Sequence, residues 1–251
     1  MRQPLVAGNW KMHGSRADNA RLIGALAERF PATDVACAVC PPHVYLSEVG
    51  RMLRAAELPI ALGAQDVSAE LKGAFTGEVS VSMLEDLDCS YVIVGHSERR
   101  KAEGEDDHLV ARKFDAARSK LVPILCVGER LGERQEGETL AVIARQLDAV
   151  LERCGAIGFG GAVIAYEPRW AIGTGMTASP EQAQEVHVFI RRHLAQQDAK
   201  IADEVRILYG GSVNAGNAAE LFAMPDVDGG LIGGVSLKAE EFLAILAAAG
   251  R

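Results

Sequence analysis

Eight short apolar runs, rich in Val, Ile, Leu and Ala, recur along the chain, and most are followed by a longer stretch of mixed polarity. In the longer stretches apolar residues recur at intervals of three and four, which is the spacing of an amphipathic helix. Short strands that are apolar on both faces and alternate with helices are typical of a parallel sheet covered by helices. The apolar runs are LVAGNW, VACAVC, IALGAQ, YVIVGH, VPILCVG, AVIAYE, VRILYGG and GGLIGG.

Eight strand–helix units in 251 residues fit an α/β fold with a closed (β/α)8 barrel, in which eight parallel strands are ringed by helices. An open doubly wound sheet is disfavoured, because GNWKMHGS after the first strand is not a glycine-rich dinucleotide-binding loop. No linker or shift in composition divides the chain, so we expect one domain over residues 1–251. The clearest helical segments are 17–30, 108–120, 139–154 and 179–196, the last with Ser179, Pro180 and Gln182 as its start signals.

The charge and hydropathy of the chain exclude some classes of binding partner. The formal net charge is −8 and no long Lys/Arg run occurs, which argues against nucleic-acid binding. No apolar run approaches the roughly 20 residues of a membrane span, and the first residues lack the apolar region of a signal peptide. We therefore expect a cytoplasmic protein with no membrane partner, in which local groups hold any anionic substrate.

The five cysteines lie mostly in apolar surroundings, which favours reduced and buried thiols. Cys37 and Cys40 have the spacing of a redox pair, but residues three apart in a strand point to opposite faces. We expect neither a disulfide nor a shared metal at this pair.

Side chains with catalytic chemistry follow several of the predicted strands. In a (β/α)8 barrel the functional residues lie at the carboxyl ends of the strands. Taken singly, each has a simpler explanation as a solvated lysine, a hydrogen-bonded histidine or a turn glycine, but together on one rim they favour an active site. The residues are Asn9 and Lys11 after the first strand, His96 after the fourth, Glu167 after the sixth, residues 210–212 after the seventh, and Gly233 and Gly234 after the eighth.

Two glycine-rich turns, YGGSVN and GLIGGVS, indicate a phosphorylated substrate. Backbone N–H groups in such turns bind a phosphate dianion without a side-chain charge, and the last two loops of these barrels often do so. We expect Ser212, Gly233 and Gly234 to bind the substrate there, with Lys11 adding local positive potential.

Five segments resemble those of the triosephosphate isomerase family, in the family's order and from the first strand to the last: GNWKMHGS, VIVGHSERR, AYEPRWAIGTGMTASP, YGGSVN and GLIGGVSL. The resemblance implies a TIM-barrel isomerase of glycolysis and gluconeogenesis that interconverts D-glyceraldehyde 3-phosphate and dihydroxyacetone phosphate through an enediolate. It also implies no cofactor and no metal, since the protein's own acid, base and dipoles suffice for this chemistry.

The resemblance assigns roles at the strand ends. It implies that Glu167 is the base that moves a proton between C1 and C2, and that His96 is a neutral electrophile. Asn9 and Lys11 join His96 as donors to the substrate oxygen, with Lys11 counted among the catalytic residues. The family histidine is kept neutral by a helix N-terminus, and the SERR after His96 has the composition to begin a short helix.

Further positions match the family at the edge of the site. Ser97 and Glu98 are interpreted as supports of the histidine and lysine, with a purely capping role as the alternative. Tyr209 is expected to hydrogen-bond the closed lid. Cys126 and Glu129 are interpreted as packing and ion-pair residues.

The segment EPRWAIGTGMTA resembles the family's mobile lid, which closes over the phosphate and excludes water, so that the enediolate does not eliminate phosphate. Gly173 is expected to place its N–H on the phosphate; the alternative is an ordinary Gly/Pro surface loop. The lid residues are Pro168, Arg169, Trp170, Ala171, Ile172, Gly173, Thr174, Gly175 and Met176.

Three positions depart from the family pattern. Arg169 replaces a small aliphatic residue, Met176 replaces a lysine and His13 replaces an asparagine. We expect lid closure to survive with a changed rate or equilibrium. His13 is interpreted as structural, because Lys11 and His96 already meet the needs of the chemistry.

The segment GAQDVSAELKGAFTGEVS resembles a long loop that inserts into a neighbouring subunit in relatives. This implies a homodimer formed through the 65–80 loop, with Thr76 near its tip and contacts back to Asn9 and Lys11. The alternative is a long exposed loop.

Two other functions stay open. One is another phosphosugar-specific barrel enzyme, such as an aldolase or a phosphoribosyl isomerase; a Schiff-base aldolase needs a desolvated lysine on a mid-barrel strand, where VIAYEP offers a glutamate. The other is a catalytically inert phosphate-binding barrel, which predicts a broken set of site residues. Asn9, Lys11, His96 and Glu167 are all present, and only the lid substitutions favour the inert barrel.

Overall fold

The computed structural model describes residues 2–172 and 176–250, and within them eight parallel strands form a closed barrel. Each strand pairs with its neighbours in chain order, and the first closes on the last. All eight apolar runs are strands, so the predicted closed (β/α)8 barrel is confirmed. The strands are β1 (Leu5–Asn9), β2 (Ala36–Cys40), β3 (Ile60–Ala64), β4 (Cys89–Val94), β5 (Val122–Val127), β6 (Val163–Tyr166), β7 (Arg206–Tyr209) and β8 (Gly229–Ile232).

Helices surround the barrel, and short 3-10 turns occur at 43–45, 156–159, 169–171 and 234–237. The predicted start signals of the segment 179–196 are confirmed: Ser179 and Gln182 form a capping box and Pro180 opens the helix. The α-helices of the described residues are α1 (Arg16–Arg29), α2 (Leu46–Ala55), α3 (Val81–Asp86), α4 (Ser97–Ala102), α5 (Asp107–Ala117), α6 (Leu131–Gln135), α7 (Thr139–Cys154), α8 (Pro180–Ala195), α9 (Ala199–Glu204), α10 (Ala218–Phe222) and α11 (Ala239–Ala248).

The core has two layers because successive strand residues point alternately into the barrel and out toward the helices. Small and medium side chains such as Leu5, Ala7 and Ile124 fill the barrel interior, and a larger cluster packs between strands and helices. Cys37 belongs to the outer cluster and Cys40 to the inner one, as expected from their spacing. All five cysteines are free thiols, and burial raises the pKa of Cys37 to about 12.

Within residues 2–172 and 176–250, no helix combines the length and the apolar character needed to cross a membrane.

A charged cluster closes the amino ends of the strands. Asp228, which is buried just before β8, accepts hydrogen bonds from Arg2 Nε at 2.8 Å and from Arg191 Nη2 at 3.0 Å. It also accepts the backbone N–H of Ile207 at 2.9 Å. Two guanidinium groups and one amide thus compensate the carboxylate and tie together α8, β7, the start of β8 and the residues just before β1.

A buried histidine lies beside this cluster. His187 Nδ1 is 3.0 Å from the carbonyl oxygen of Asp226, and its ring meets Tyr166 edge-on. Burial lowers the pKa of His187 to about 4, so this side chain is neutral at pH 7.

Candidate active site

A cleft of about 520 Å³ opens at the carboxyl ends of the strands. It brings together residues from β1, β4, β6, β7 and β8 or from the loops that follow them, which is where a barrel of this kind places its chemistry. Ile172, Thr177 and Lys238 also line it. The sequence-predicted residues in its lining are Asn9, Lys11, His96, Glu167, Ser212, Gly233 and Gly234.

Glu167 is the first residue after β6, and its backbone N–H donates to the carbonyl of Val127 at 2.7 Å. Two glycines make room for it. A Cβ at Gly128 would lie 1.8 Å from the backbone oxygen of Glu167, and a Cβ at Gly210 would lie 2.8 Å from its Cγ. A larger residue at Gly128 would displace the backbone of Glu167, and one at Gly210 would displace its side chain.

His96 is the N-cap of α4, as the SERR segment suggested. Its Nδ1 accepts the backbone N–H of Glu98 at 3.2 Å, and its Nε2 lies 2.8 Å from Glu167 Oε1. A ring that accepts at Nδ1 and donates at Nε2 carries one proton and is neutral. Both His96 and Glu167 are buried, so this pair is held away from bulk water.

The two groups shift each other's pKa. Burial raises the pKa of Glu167, but the charge of His96, its hydrogen bond and the N–H of Ser97 lower it more, so the pKa lies below its ordinary value. For His96, burial lowers the pKa, whereas the charge and hydrogen bond of Glu167 raise it above its ordinary value. The upward shift depends on direct contact between the two side chains.

Lys11 has a left-handed backbone conformation, with φ of 54°. Asn9 Oδ1 accepts the Lys11 N–H at 3.0 Å, and Gln65 Nε2 donates to the Lys11 carbonyl at 2.8 Å. The ammonium group forms an ion pair with Glu98 Oε1 at 2.6 Å and faces Gly233. Such a conformation is costly for a residue with a Cβ, so these contacts hold Lys11 at the cleft against local strain.

The two supporting residues on α4 make direct contacts with the central groups. The backbone N–H of Ser97 donates to Glu167 Oε2 at 2.9 Å, while Glu98 pairs with Lys11. His96, rather than Ser97, is the helix cap. The Ser97 contact is thus to the carboxylate rather than to His96, whereas Glu98 contacts Lys11 through its carboxylate and His96 through its backbone N–H.

The described part of the lid comprises residues 168–172 and 176; Gly173, Thr174 and Gly175 lie outside the described residues. Residues 169–171 form a 3-10 turn. Ser212 Oγ donates to the carbonyl of Ala171 at 2.7 Å. On the other side of the lid, Tyr209 accepts the N–H of Ala178 at 3.3 Å. Both lid ends are therefore tied to the last residue of β7 and to the turn that follows it.

Glu129 anchors the beginning of the lid. This buried carboxylate accepts hydrogen bonds from Tyr166 at 3.1 Å and from Trp170 Nε1 at 2.9 Å, and pairs with Arg134 at 3.2 Å. The Arg134 guanidinium also lies 4.8 Å from the centre of the Trp170 ring. These contacts match the ion-pair and packing interpretation and extend it to the lid.

Two residues of the site, Gln65 and Lys238, were not identified from the sequence. Gln65, which joins the Lys11 carbonyl to that of Cys40, is the first residue of the long loop and carries no pattern that indicates this role. Lys238 had one usable signal, because a lysine stands immediately before a helical segment where a capping residue is usual.

The 65–80 loop connects β3 to α3 and exposes apolar side chains. Leu71 is 62% exposed and Phe75 is 45% exposed, and Thr76 near the predicted tip is also exposed. His13 is exposed beside Met12, which is 94% exposed.

Comparison with known proteins identifies a matching family and several close relatives. A sequence model of the family described as triosephosphate isomerase matches residues 4–249. The chain is 60% identical over 252 aligned residues to the triosephosphate isomerase of Thiobacillus denitrificans, with 100% of both chains covered. It is 57% identical to that of Nitrosococcus oceani, with 100% of both chains covered. It is 56% identical to that of Xanthomonas euvesicatoria pv. vesicatoria, with 99% of both covered.

Proposed function

The chain belongs to the triosephosphate isomerase family, and we propose that its catalysis rests on Glu167 as the base and on His96 and Lys11 as the groups that stabilise charge on the substrate oxygen. The enzyme interconverts D-glyceraldehyde 3-phosphate and dihydroxyacetone phosphate, a step of glycolysis. Neither the alternative barrel enzyme nor the inert barrel is favoured by these relatives. The observation that carries the proposal is the 2.8 Å contact between Glu167 and His96 at the floor of the cleft.

The proposed reaction moves one proton. The Glu167 carboxylate takes the proton from C2 of the aldehyde substrate, and the electron pair left behind forms the C1–C2 double bond while the C1 carbonyl oxygen becomes anionic. The His96 Nε2–H and the Lys11 ammonium group donate toward the substrate oxygens, with Asn9 beside them. A carboxylate facing the carbon and donors facing the oxygens are what an enediolate requires. Return of a proton to C1, with rearrangement of the hydroxyl protons, gives the ketone.

The substrate must separate the base from the electrophile. At 2.8 Å, Glu167 and His96 leave no space for a carbon and an oxygen between them. Binding therefore moves the carboxylate away and removes the contact that raises the pKa of His96. Burial and the Glu98 N–H at Nδ1 then keep the imidazole neutral, which suits a donor to an oxyanion that must not give up its proton too early.

Phosphate binding is proposed at the turns after β7 and β8. Ser212, Gly233 and Gly234 line one end of the cleft, and backbone N–H groups of such turns suit a dianion. Gly173 is proposed to add its N–H when the lid at 168–176 closes, by resemblance to the family. Closure excludes water from the enediolate.

The lid substitutions offer a separate test. Arg169 follows Pro168 at the fixed end of the lid, and its backbone N–H donates to the Glu129 carbonyl at 3.0 Å. The double change Arg169→Val with Met176→Lys is expected to alter kcat or KM. Unchanged values of both in steady-state assays would contradict a role of these residues in closure.

We also propose a cytoplasmic homodimer, folded as one domain and formed through the 65–80 loop. Exposed apolar side chains such as Leu71, Phe75 and Met12 support an interface, because patches of this kind are costly in water. Sedimentation at assay concentration is expected to give twice the chain mass. A single species of the chain mass would contradict the dimer.

Isomerisation in D₂O, without added cofactor, tests the proposed reaction. Proton NMR of the dihydroxyacetone phosphate formed from D-glyceraldehyde 3-phosphate should show deuterium at C1, because the proton held by Glu167 exchanges with solvent before it is returned. Direct hydride transfer from C2 to C1 would leave the product free of deuterium and contradict the mechanism. A folded but inactive protein would contradict the isomerase function itself.

A further inference from the structure

The buried face of α7 carries an amide side chain among apolar ones. Val142, Ile143, Leu147 and Val150 are buried on this face, as the helical period predicts, and Gln146 lies among them with 5% of its surface exposed. Burial of an amide costs free energy unless its donor and acceptor are both satisfied, so packing alone would favour an apolar residue here. The partners of Gln146 therefore indicate why an amide occupies the position.

Those partners are the two backbone groups of a single residue, Gly128. Gln146 Oε1 accepts the N–H of Gly128 at 2.8 Å, and Gln146 Nε2 donates to the carbonyl of Gly128 at 3.3 Å. Both hydrogen bonds are buried, and Gly128 is the first residue after β5. An amide that accepts from the N–H and donates to the C=O of one residue does what a neighbouring strand does in a sheet.

The other edge of β5 is occupied by the segment that carries the base. The backbone N–H of Glu167 donates to the carbonyl of Val127 at 2.7 Å. Two residues further along, the backbone N–H of Arg169 donates to the carbonyl of Glu129 at 3.0 Å. Gly128 lies between these two carbonyls, and the alternation of a parallel ladder directs its own N–H and C=O to the opposite edge.

The strand on that opposite edge ends too early to bind Gly128. The last pair between β4 and β5 joins Val94 to Leu125, which precedes Gly128 along β5. Gly128 itself is buried, so its backbone groups need a partner from the protein. Gln146 takes the place of the missing strand and extends the bonded part of β5 beyond the end of β4.

The position of Gly128 is transmitted directly to Glu167. A Cβ on Gly128 would lie 1.8 Å from the backbone oxygen of Glu167 and 3.3 Å from its Cα, so the two backbones are in close contact. A displacement of Gly128 therefore moves the backbone that carries the carboxylate. Small errors in the placement of a catalytic group are costly, since a shift of about 1 Å can lower the rate by about 10²-fold.

We propose that Gln146 is a positioning residue of the isomerase, which fixes the backbone of Glu167 through Gly128 and so sets the distance between the carboxylate and the substrate carbon. Gln146 acts from α7, behind the cleft, and does not touch the substrate. The proposal rests on the proposed role of Glu167 as the base.

The first test is Gln146→Met, which keeps the length of the side chain but removes both hydrogen bonds. We expect kcat to fall by roughly 10-fold or more, with KM changed by less than about three-fold, because substrate binding does not depend on the exact position of the base. With D-glyceraldehyde 3-phosphate that carries deuterium at C2, the isotope effect on kcat/KM should be larger than in wild type, since proton removal becomes slower. A loss that comes only from unfolded protein would leave the isotope effect unchanged.

The matched control is Gln184→Met on α8. Gln184 also bonds a single residue twice: it accepts the N–H of Asp226 at 3.1 Å and donates to the Asp226 carboxylate at 2.8 Å. This pair lies just before β8, at the amino end of the barrel. Both variants should lower the thermal midpoint, but Gln184→Met should keep the wild-type kcat. Equal losses of kcat in the two variants would contradict the proposal.

Gln146→Glu provides a second test that does not depend on the folding of Gln146→Met. A protonated carboxyl group has one acceptor and one donor, as the amide has, and burial raises the pKa of such a group. Ionisation removes the donor to the Gly128 carbonyl. The ratio of Gln146→Glu to wild-type kcat, in which shared titrations cancel, should therefore be close to one at about pH 6 and fall as the pH rises toward about 9.

Three results would overturn the proposal: a kcat of Gln146→Met within about two-fold of wild type, an isotope effect equal to that of wild type, or a ratio for Gln146→Glu that does not change with pH. If Gln146→Met does not fold, the ratio for Gln146→Glu decides. An inactive wild type, or a Glu167→Asp variant with wild-type kcat, would instead overturn the role of Glu167 on which the proposal rests.

Discussion

The two ends of the barrel each hold a buried carboxylate, and the contrast lies in the groups that surround it. At the amino end, Asp228 accepts hydrogen bonds from two guanidinium groups and one backbone N–H. At the carboxyl end, Glu167 accepts from the imidazole of His96 and one backbone N–H, and among the described residues no Lys or Arg nitrogen lies within 4.0 Å of it. One carboxylate is compensated by fixed charges, and the other is held by a neutral donor that a substrate can replace.

The two buried histidines, His187 and His96, show the same contrast between the amino and carboxyl ends of the barrel. His187, beside the amino-end cluster, bonds a backbone carbonyl and has a pKa lowered to about 4 by burial. His96 bonds the carboxylate of the active site and caps a helix whose first N–H groups face the cleft. We infer that complete compensation serves stability at one end, whereas exchangeable contacts serve catalysis at the other.

The largest expected effect is on catalysis at the carboxyl end. His96→Gln removes the imidazole donor and should lower kcat by about 10²- to 10⁴-fold, because the anionic oxygen loses its electrophile. The matched control is His193→Gln, since His193 pairs with Asp148 on the outer helices. Steady-state assays should show a loss in the first variant only; equal activity of the two variants would contradict the role of His96.

At the amino end the largest effect should be on stability. Asp228→Asn leaves Arg2 and Arg191 without their buried counterion and should lower the free energy of unfolding by about 3–5 kcal/mol. Asp203→Asn, at an 85% exposed partner of Arg2, should cost less than about 1 kcal/mol. Urea unfolding measures both. The kcat of folded Asp228→Asn should match wild type. A large loss of kcat would contradict the assignment of Asp228 to stability rather than catalysis.

His187 predicts a dependence of stability on pH. Its pKa falls from an ordinary value of 6.5 to about 4 on folding. At pH values between these two, the imidazole is protonated in the unfolded chain but not in the folded chain. The free energy of unfolding should therefore fall as the pH falls from 6.5 toward 4, by about 3 kcal/mol from this group. In His187→Gln the slope should be smaller, whereas exposed His108→Gln should keep the wild-type slope. Identical slopes in all three proteins would exclude His187 as the source.

Two glycine substitutions test how closely the base is held. Gly210→Ala places a Cβ 2.8 Å from Glu167 Cγ and should lower kcat roughly 10-fold or more by displacing the carboxylate. Gly24→Ala, within α1 and with nothing within 4 Å of the added Cβ, should leave kcat unchanged and stabilise the helix by about 0.5–1 kcal/mol. Equal kcat values for the two variants would show that the base is not constrained by Gly210.

The barrel could be predicted because its strands are apolar on both faces and its helices have clear periodicity. β1 and β6, for example, follow from LVAGNW and AVIAYE, and their ends place Lys11 and Glu167 on one rim. The resemblance to a family supplied the roles of these residues. Their precise support could not be predicted, since the left-handed φ of Lys11 and its contact with Gln65 depend on packing between separate strands.

Glu129 shows the same limit. The CVGE segment indicated an ion pair, but the convergence of Tyr166, Arg134 and Trp170 on one carboxylate depends on how the loop after β5 meets the start of the lid. Contacts between distant segments carry no local sequence pattern. The sequence therefore predicts which residues reach the rim better than it predicts what holds them there.

The most direct measurement is kcat of Glu167→Asp on D-glyceraldehyde 3-phosphate, determined together with its free energy of unfolding. Shortening the side chain by one methylene withdraws the base from the substrate carbon but keeps a carboxylate in the site. The account predicts a loss in kcat of about 10²-fold or more, with stability changed by less than about 2 kcal/mol. A kcat within a few-fold of wild type, or a loss explained by unfolding, would contradict the assignment of Glu167 as the base.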